Sequence, residues 1–317
     1  MEPIISVEHL SKRYKKSDHP AVDDVSFAVG RGELFAFLGP NGAGKTTTIS
    51  ILTTMLAQTS GAVTIAGHDL DREAKAVRRS IGIIFQNPSV DLHLSGEENI
   101  RLHVAIYGLY AYRPLYRAMP QGYRDRIEEL AQLVGLGDDV FRPLKTFSGG
   151  MKRKLEVIRS LMHRPGVLFL DEPSSGLDPL SRRAMWDYLR AVRNADGTTI
   201  FLTTHYLDEA EEADRVCVID HGRIAVIGTP DELKAKLLDR SVLLDAVDRP
   251  ALLADLARLG LRPTQEPSGR LRVTYPGATA QELIADLRVP LTALRVDEPS
   301  LEEAYLALLS QPEEARS

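Results

Sequence analysis

The sequence predicts an α/β protein built in two parts, and three observations carry that expectation. Apolar runs of strand length alternate with amphipathic helical stretches. One such run leads through a glycine-rich turn, Gly39–Thr46, straight into a helix. Near residue 240 the composition shifts, Lys236 being the last lysine, and a second alternation of strands and helices begins. A chain of 317 residues suits two domains, and 44% hydrophobic with 26% charged residues is globular composition, neither disordered nor fibrous.

In chain order, Ile4–Val7 and Val22–Val29 read as extended segments, and Gly30-Arg31-Gly32 turns the chain into the apolar strand Leu34–Leu38. An amphipathic helix is expected from about Thr46 to Ala57, then strands at Val63–Ile65 and Ile81–Phe85. From about Gly96 to Val134 the period is helical. Within it, Ile127, Leu130, Ala131 and Val134 share one face of the stretch Tyr123–Val134. Val167–Leu170, Thr199–Thr203 and Val216–Ile219 have the continuous apolar character of buried strands. The pattern indicates a parallel or mixed sheet faced by helices, with a helical insertion. Beyond residue 240 the reading is strand Val242–Val247, helix Pro250–Leu259, strand Leu271–Tyr275, helix Ala278–Leu287, strand Ala293–Val296 and helix Ser300–Leu309.

Several functions are excluded at this level. Lys+Arg 39 against Asp+Glu 44 gives a net charge of -5, so no basic field draws the chain to nucleic acid. The segment from 240 to 317 holds 12 acidic and 9 basic residues and is no nucleic-acid arm either. A lone Cys217 allows no intrachain disulfide, fits a reducing compartment and reads as a small core residue. The N-terminal residues lack the basic and apolar regions of a signal peptide. Thr46–Gly67 is free of charge for 22 residues, but seven of them are Thr and Gly61 breaks the run, so no membrane span is expected.

Gly39-Pro40-Asn41-Gly42-Ala43-Gly44-Lys45-Thr46 matches the phosphate-loop pattern without departure, in the strand–turn–helix context the pattern requires. Its glycines let backbone N–H groups turn around phosphate oxygens, and the helix N-terminus favours negative charge. Lys45 would reach the β- and γ-phosphates, and the Thr46 hydroxyl would ligate Mg²⁺. Val167–Leu170 ends in Asp171 and Glu172. At the carboxyl end of such a strand, Asp171 can hold Mg²⁺ through water, and Glu172 can orient or deprotonate an attacking water. The pair could also be a polar strand end before Pro173. Together these elements read as a nucleoside triphosphatase. Ser148-Gly149-Gly150 opens another helix, with Ser148 as its cap and two glycines exposing N–H groups, which makes a second anion-binding surface or a common loop tripeptide.

With these motifs in hand, the chain resembles the nucleotide-binding subunit of an ABC transporter over roughly residues 4 to 238. The resemblance implies a P-loop core of RecA type, an antiparallel β subdomain and a helical subdomain. A small C-terminal α/β domain would occupy 240–311. By resemblance, Ser148-Gly149-Gly150 is the signature that binds the γ-phosphate held by a second subunit's phosphate loop. Tyr14 matches the aromatic that stacks on adenine, and Thr47 belongs with the loop's nucleotide-binding set. Gln86 matches the glutamine that contacts Mg²⁺ and senses the membrane partner. Asp178, in Ser175-Gly176-Leu177-Asp178, matches the D-loop, and His205 matches the switch histidine on the γ-phosphate. Each has a plainer alternative: a half-exposed strand aromatic for Tyr14, a satisfied strand end for Gln86, a cap on the acidic helix Asp208 to Asp214 for His205.

Phe147 stands where leucine is commonest, Met151 where many members have glutamine, and Ser174 where threonine is usual. Ser-Gly-Gly-Met with basic residues after it resembles the drug- and lipid-exporting branch of daunorubicin-resistance type. So does Glu298-Pro299-Ser300-Leu301-Glu302-Glu303-Ala304-Tyr305-Leu306, which also reads as a Ser300-capped helix with Leu301, Tyr305 and Leu308 on one face. Tyr107–Gln121, with four tyrosines (Tyr107, Tyr110, Tyr112, Tyr116), Arg113, Arg117, Pro114 and Pro120, is either a surface loop over the helical subdomain or an added contact for a membrane subunit.

The resemblance implies an ATP- and Mg²⁺-dependent ATPase subunit of a bacterial exporter. It would work as a head-to-tail pair, with a separately encoded integral-membrane permease, at the cytoplasmic face of the membrane. The rival is an ABC-type ATPase not coupled to transport. No coiled-coil heptads, zinc cluster or second phosphate loop supports it. A catalytically inert subunit conflicts with the presence of Lys45, Asp171, Glu172 and His205.

Overall fold

A computed structural model describes residues 2–15, 17–85, 90–237, 241–266, 268–275, 280–297 and 300–310. The chain divides into two units, Met1–Ala225 and Val226–Ser317.

In the first unit, β1 (Ile5–Lys12), β2 (Val22–Val29), β4 (Ser60–Ile65) and β5 (His68–Asp69) form an antiparallel sheet in the order β2-β1-β4-β5. A six-stranded sheet combines β3 (Leu34–Leu38), β6 (Ile81–Ile84), β7 (Val167–Asp171), β8 (Thr199–Thr204), β9 (Arg215–Asp220) and β10 (Arg223–Gly228), the last of which runs across the division at 225/226, ordered β10-β9-β3-β8-β7-β6. Its strands β9, β3, β8, β7 and β6 pair in parallel. β3, β7 and β8 are buried at every position, as a parallel strand covered on both faces must be. Phe27 of β2 welds the two sheets together: its ring lies 5.5 Å from Phe35 and 6.0 Å from Phe201. Cys217 is buried in β9, where burial raises its thiol pKa.

The first helix, α1 (Lys45–Leu52), is shorter than the expected Thr46–Ala57. Its Thr53 hydroxyl donates back to the Ile49 carbonyl at 2.7 Å, and Thr54 turns left-handed, which ends the helix. After α2 (Ala74–Ser80), the helical stretch Gly96–Val134 resolves into α3 (Gly96–Ile106) and α4 (Gln121–Leu133), and α5 (Gly149–Leu161) is the helix that Ser148 opens. Ser95 and Glu98 form a capping box at α3. Gly108, at a φ of 68°, and Pro114 and Pro120 keep 107–120 from continuing the helix. Tyr123 is fully buried on α4 and donates its hydroxyl to Glu97 of α3 at 2.9 Å, while Arg101 pairs with Glu97 at 3.2 Å. α6 (Pro179–Asp196) and α7 (Leu207–Glu211) complete the unit.

In the second unit, β11 (Ser241–Ala246), α9 (Arg249–Arg258), β12 (Pro263–Gln265), β13 (Leu271–Thr274), α10 (Ala280–Asp286) and β14 (Leu291–Asp297) make a β-α-β-β-α-β arrangement, ordered β12-β13-β11-β14 and antiparallel. Val242, Leu244, Leu252, Leu256, Val273 and Leu283 fill its core. α8 (Pro230–Leu237) packs along α11 (Leu301–Ser310), with Leu233, Leu301, Ala304 and Leu308 buried. The Ser300 side chain accepts from the Glu303 N–H at 3.1 Å and so caps α11. Helix α8 thus falls in the second unit, after the division at 225/226. Among the described residues no helix is long and apolar enough to cross a membrane.

Candidate functional site

The phosphate loop, Gly39–Thr46, links β3 to α1. A side chain at Gly39 would bring its Cβ within 2.4 Å of the Ile219 carbonyl, and Gly44 holds a φ of 108° with the Ala21 carbonyl 2.5 Å from where a Cβ would stand. Both positions therefore require glycine. No side chain caps α1 and no acid lies in its first turn, so its N–H groups are open to an anion. Lys45 is 4% exposed; its Nζ donates to the Gly39 and Pro40 carbonyls at 2.6 and 3.0 Å and stands 3.8 Å from Glu172 Oε1. Burial lowers its pKa, and the charges of Glu172 and Asp171 oppose that shift.

Parallel pairing of β7 with β8 places Asp171 beside Thr203. The Thr203 hydroxyl donates to Asp171 Oδ1 at 2.5 Å, and burial raises the Asp171 pKa against that bond. Glu172 follows at a φ of 44°, a left-handed conformation that a glutamate does not take without support. Its N–H donates to the Thr203 carbonyl at 3.1 Å and meets the Thr203 hydroxyl at 3.2 Å, which holds it there. The turn aims the Glu172 carboxylate so that Oε1 lies 3.1 Å from His205 Nδ1 as well as near Lys45. Three residues far apart in sequence therefore meet at one carboxylate oxygen. Tyr206, not His205, occupies the N-cap position of α7, and its ring lies 4.0 Å from the imidazole.

The remaining candidates are spread around this centre. Tyr14 is exposed, with its hydroxyl 3.3 Å from Thr47 Oγ1 and Lys12 Nζ 5.6 Å from the ring centroid. Thr46 is exposed at the mouth of the loop. Gln86 lies outside the described residues. Ser148 caps α5 by accepting from the Met151 N–H at 3.2 Å, and no acid lies in that helix's first turn. Gly149 leaves open space beside it, while a Cβ at Gly150 would stand 2.9 Å from Ser181 Oγ. Asp178 caps α6, accepting from the N–H groups of Leu180 and Ser181 at 3.0 Å each. Among the described residues no hydrogen bond or ion pair joins Ser148–Gly150 to Gly39–Thr46. Sequence reasoning passed over Thr203, which holds both acids, and Glu209, a buried acid of α7 that accepts from the Ser174 hydroxyl. The signal for Thr203 was its place two residues before His205 at the end of a strand.

The ABC transporter family profile matches residues 22–175. The daunorubicin/doxorubicin resistance ATP-binding protein DrrA of Streptomyces peucetius is 41% identical over 307 residues, which covers 94% of this chain and 90% of that protein. The chain belongs to the ABC transporter family. Within the family it is an ATP-binding subunit, an ATPase that serves export. The Nod factor export ATP-binding protein I of Ralstonia nicotianae is 38% identical, across 90% of this chain and 85% of that one. A solved ATP-binding subunit of an ABC transporter superposes with a TM-score of 0.63 at 31% identity, covering 74% of this chain and 92% of that one. The expected α/β ABC-ATPase fold and ATP hydrolysis stand, and nothing supports an ATPase uncoupled from transport.

Proposed function

We propose that two copies of this chain sandwich two ATP molecules, each between Gly39–Thr46 of one copy and Ser148–Gly150 of the other. The observation that carries this reading is the meeting of Lys45, Glu172 and His205 at the phosphate loop, while the start of α5, capped only by its own Ser148, is joined to none of them. One chain supplies each half once, so two chains complete two sites. Lys45 leaves its carbonyl partners for the phosphates, with Thr47 beside it and Tyr14 against the base. Glu172 accepts the proton of the attacking water at its carboxylate, and His205 holds the γ-phosphate. Asp178 stays on its own helix at the edge of the site. The donor set fits Mg²⁺: hard oxygens from the Thr46 hydroxyl and the Asp171 carboxylate, whose Oδ1 is held by Thr203, with Gln86 as a third ligand. The ion would supply charge neutralisation at the phosphates.

A separate integral-membrane permease is the second partner, docked near Gln86 and the helical insertion at the cytoplasmic face of a bacterial membrane. The segment Tyr107–Gln121 supports this by division of labour. Tyr110 and Tyr116 pack on the buried Tyr123, whereas Tyr107, Tyr112 and Leu115, with Ile106 just before the segment, are exposed. Large exposed apolar and aromatic groups suit an interface anchor. The named cargoes of the relatives differ, a drug for one and Nod factor for another, at nearly equal identity to this chain. The ATPase residues therefore leave cargo choice to the permease. Glu172→Gln tests the central reading. Nucleotide binding is expected to persist and the variant to accumulate as an ATP-dependent dimer; wild-type turnover would sink the assignment.

A further inference from the structure

Arg153 lies in the second turn of α5, the helix that Ser148-Gly149-Gly150 begins, and its guanidinium is buried. Nε donates to the Pro173 carbonyl at 3.1 Å. Nη1 donates to the Phe85 carbonyl and, at 3.0 Å, to Oε2 of Glu156, a buried acid one turn further along the same helix. Pro173 is the residue after Glu172, and Phe85 directly follows β6. One planar group therefore fastens the signature helix to the backbone at two other places, the turn that carries Glu172 and the exit of β6. These three segments are separated in sequence by 20 and 68 residues. Arginine is suited to this because its donors sit in a rigid fork, where a lysine ammonium is a single point on a flexible stem.

We propose that Arg153 is a positioning residue that couples the two ATP sites of the dimer; the proposal rests on the sandwich reading above. In that dimer the start of α5 touches the partner's ATP, whereas Glu172 acts on the chain's own. A displacement of α5 when it engages the partner's γ-phosphate moves the Arg153 fork, and the Pro173 carbonyl moves with it. Glu172, already held at a positive φ by Thr203, is then brought to or withdrawn from its working position. Occupancy of one site thereby sets turnover at the other, and the coupling is reciprocal for binding.

The test compares full-length Arg153→Lys and Arg153→Met with wild type in four measurements: thermal midpoint, binding of a fluorescent ATP analogue, turnover, and the ATP dependence of turnover. Nucleotide affinity is expected to stay within about threefold, because no phosphate ligand is removed, while turnover falls about ten- to a hundredfold. The Hill coefficient is expected to fall from about two towards one, with Arg153→Lys retaining more of both than Arg153→Met. A folded Arg153→Lys with wild-type turnover and Hill coefficient overturns the proposal. So does a wild-type Hill coefficient of one. Failure of both variants to fold overturns it in favour of a purely structural role. Glu172→Gln with ATP, run beside them, separates the two ideas: if it stays monomeric, the sandwich reading fails first.

Discussion

Thr203→Val offers the sharpest test of how the catalytic acids are held. The substitution keeps the β-branched shape at a fully buried strand position and removes one hydroxyl. That hydroxyl donates to Asp171 Oδ1 at 2.5 Å and accepts from the Glu172 N–H at 3.2 Å. The second bond is backed by the Thr203 carbonyl, 3.1 Å from the same N–H, so its loss matters little. The first is a buried hydrogen bond to a carboxylate, which contributes about 1.5–3 kcal/mol. Taking about 2 kcal/mol, and about 2–4 °C per kcal/mol for a unit of this size, the midpoint falls by about 4–8 °C. Thr203→Ser keeps the donor and is expected to recover most of the loss. The assay is thermal unfolding, with Asp171→Asn completing a double-mutant cycle so that the coupling reports this one contact. If Thr203→Val lies within about 0.5 kcal/mol of wild type, the hydroxyl is not holding the acid and the reasoning fails.

Other outcomes follow from the same geometry. Lys45→Met is expected to weaken binding of a fluorescent ATP analogue by at least tenfold, about 1.4 kcal/mol or more, and an unchanged affinity would remove Lys45 from the phosphates. Tyr123→Phe leaves the buried Glu97 carboxylate without its 2.9 Å donor and is expected to cost about 1–3 kcal/mol by urea unfolding. Burial raises the Glu97 pKa above 4.5, with Tyr123 and Arg101 opposing, so the folded state binds the extra proton and stability contributed there is lost as pH rises through the raised value. Glu97→Gln should remove that slope, and a slope unchanged in the variant would assign it elsewhere. Burial, with Arg159 and His163 adding, drives the His103 pKa down to about 3, so stability falls as pH drops from 6.5 towards that value. An NMR titration should find His103 neutral at pH 5; protonation near 6.5 would refute its desolvation in this half-buried position.

The strands and the phosphate loop were legible because burial writes itself into the sequence, on both faces as the apolar run Leu34–Leu38 and on one face as the alternation in Val22–Val29, and both strands have the predicted ends. Helix α6 has its own local signals, Asp178 as cap, Pro179 at the first helical position and buried Met185, Leu189 and Val192 at helical spacing, yet Asp178 reads first as a nucleotide residue. Other elements have weaker signals. β5 and β12 are two and three residues long, too short for any period to show. The site's chemistry was legible residue by residue, but its assembly was not. Nothing local says that Thr203 braces Asp171, or that Glu172 sits at positive φ between Lys45 and His205, because both depend on the parallel register of β7 on β8.

The division of the chain shows the same limit from the other direction. Composition changes after Lys236 and marks a shift near residue 240, and the family resemblance ends near 238. The fold divides before α8, whose Leu233 is buried and which runs along α11, the helix holding Leu301, Ala304 and Leu308. A helix belongs to whatever covers its apolar face, and this one is covered by residues roughly seventy positions downstream, a pairing no window along the sequence can report. Composition records where a segment's lysines stop; the boundary is set by which apolar faces meet. Severing the chain at 238 would therefore leave Leu233 uncovered on the ATPase fragment and strip α11 of its partner. A fragment ending before α8 would expose neither.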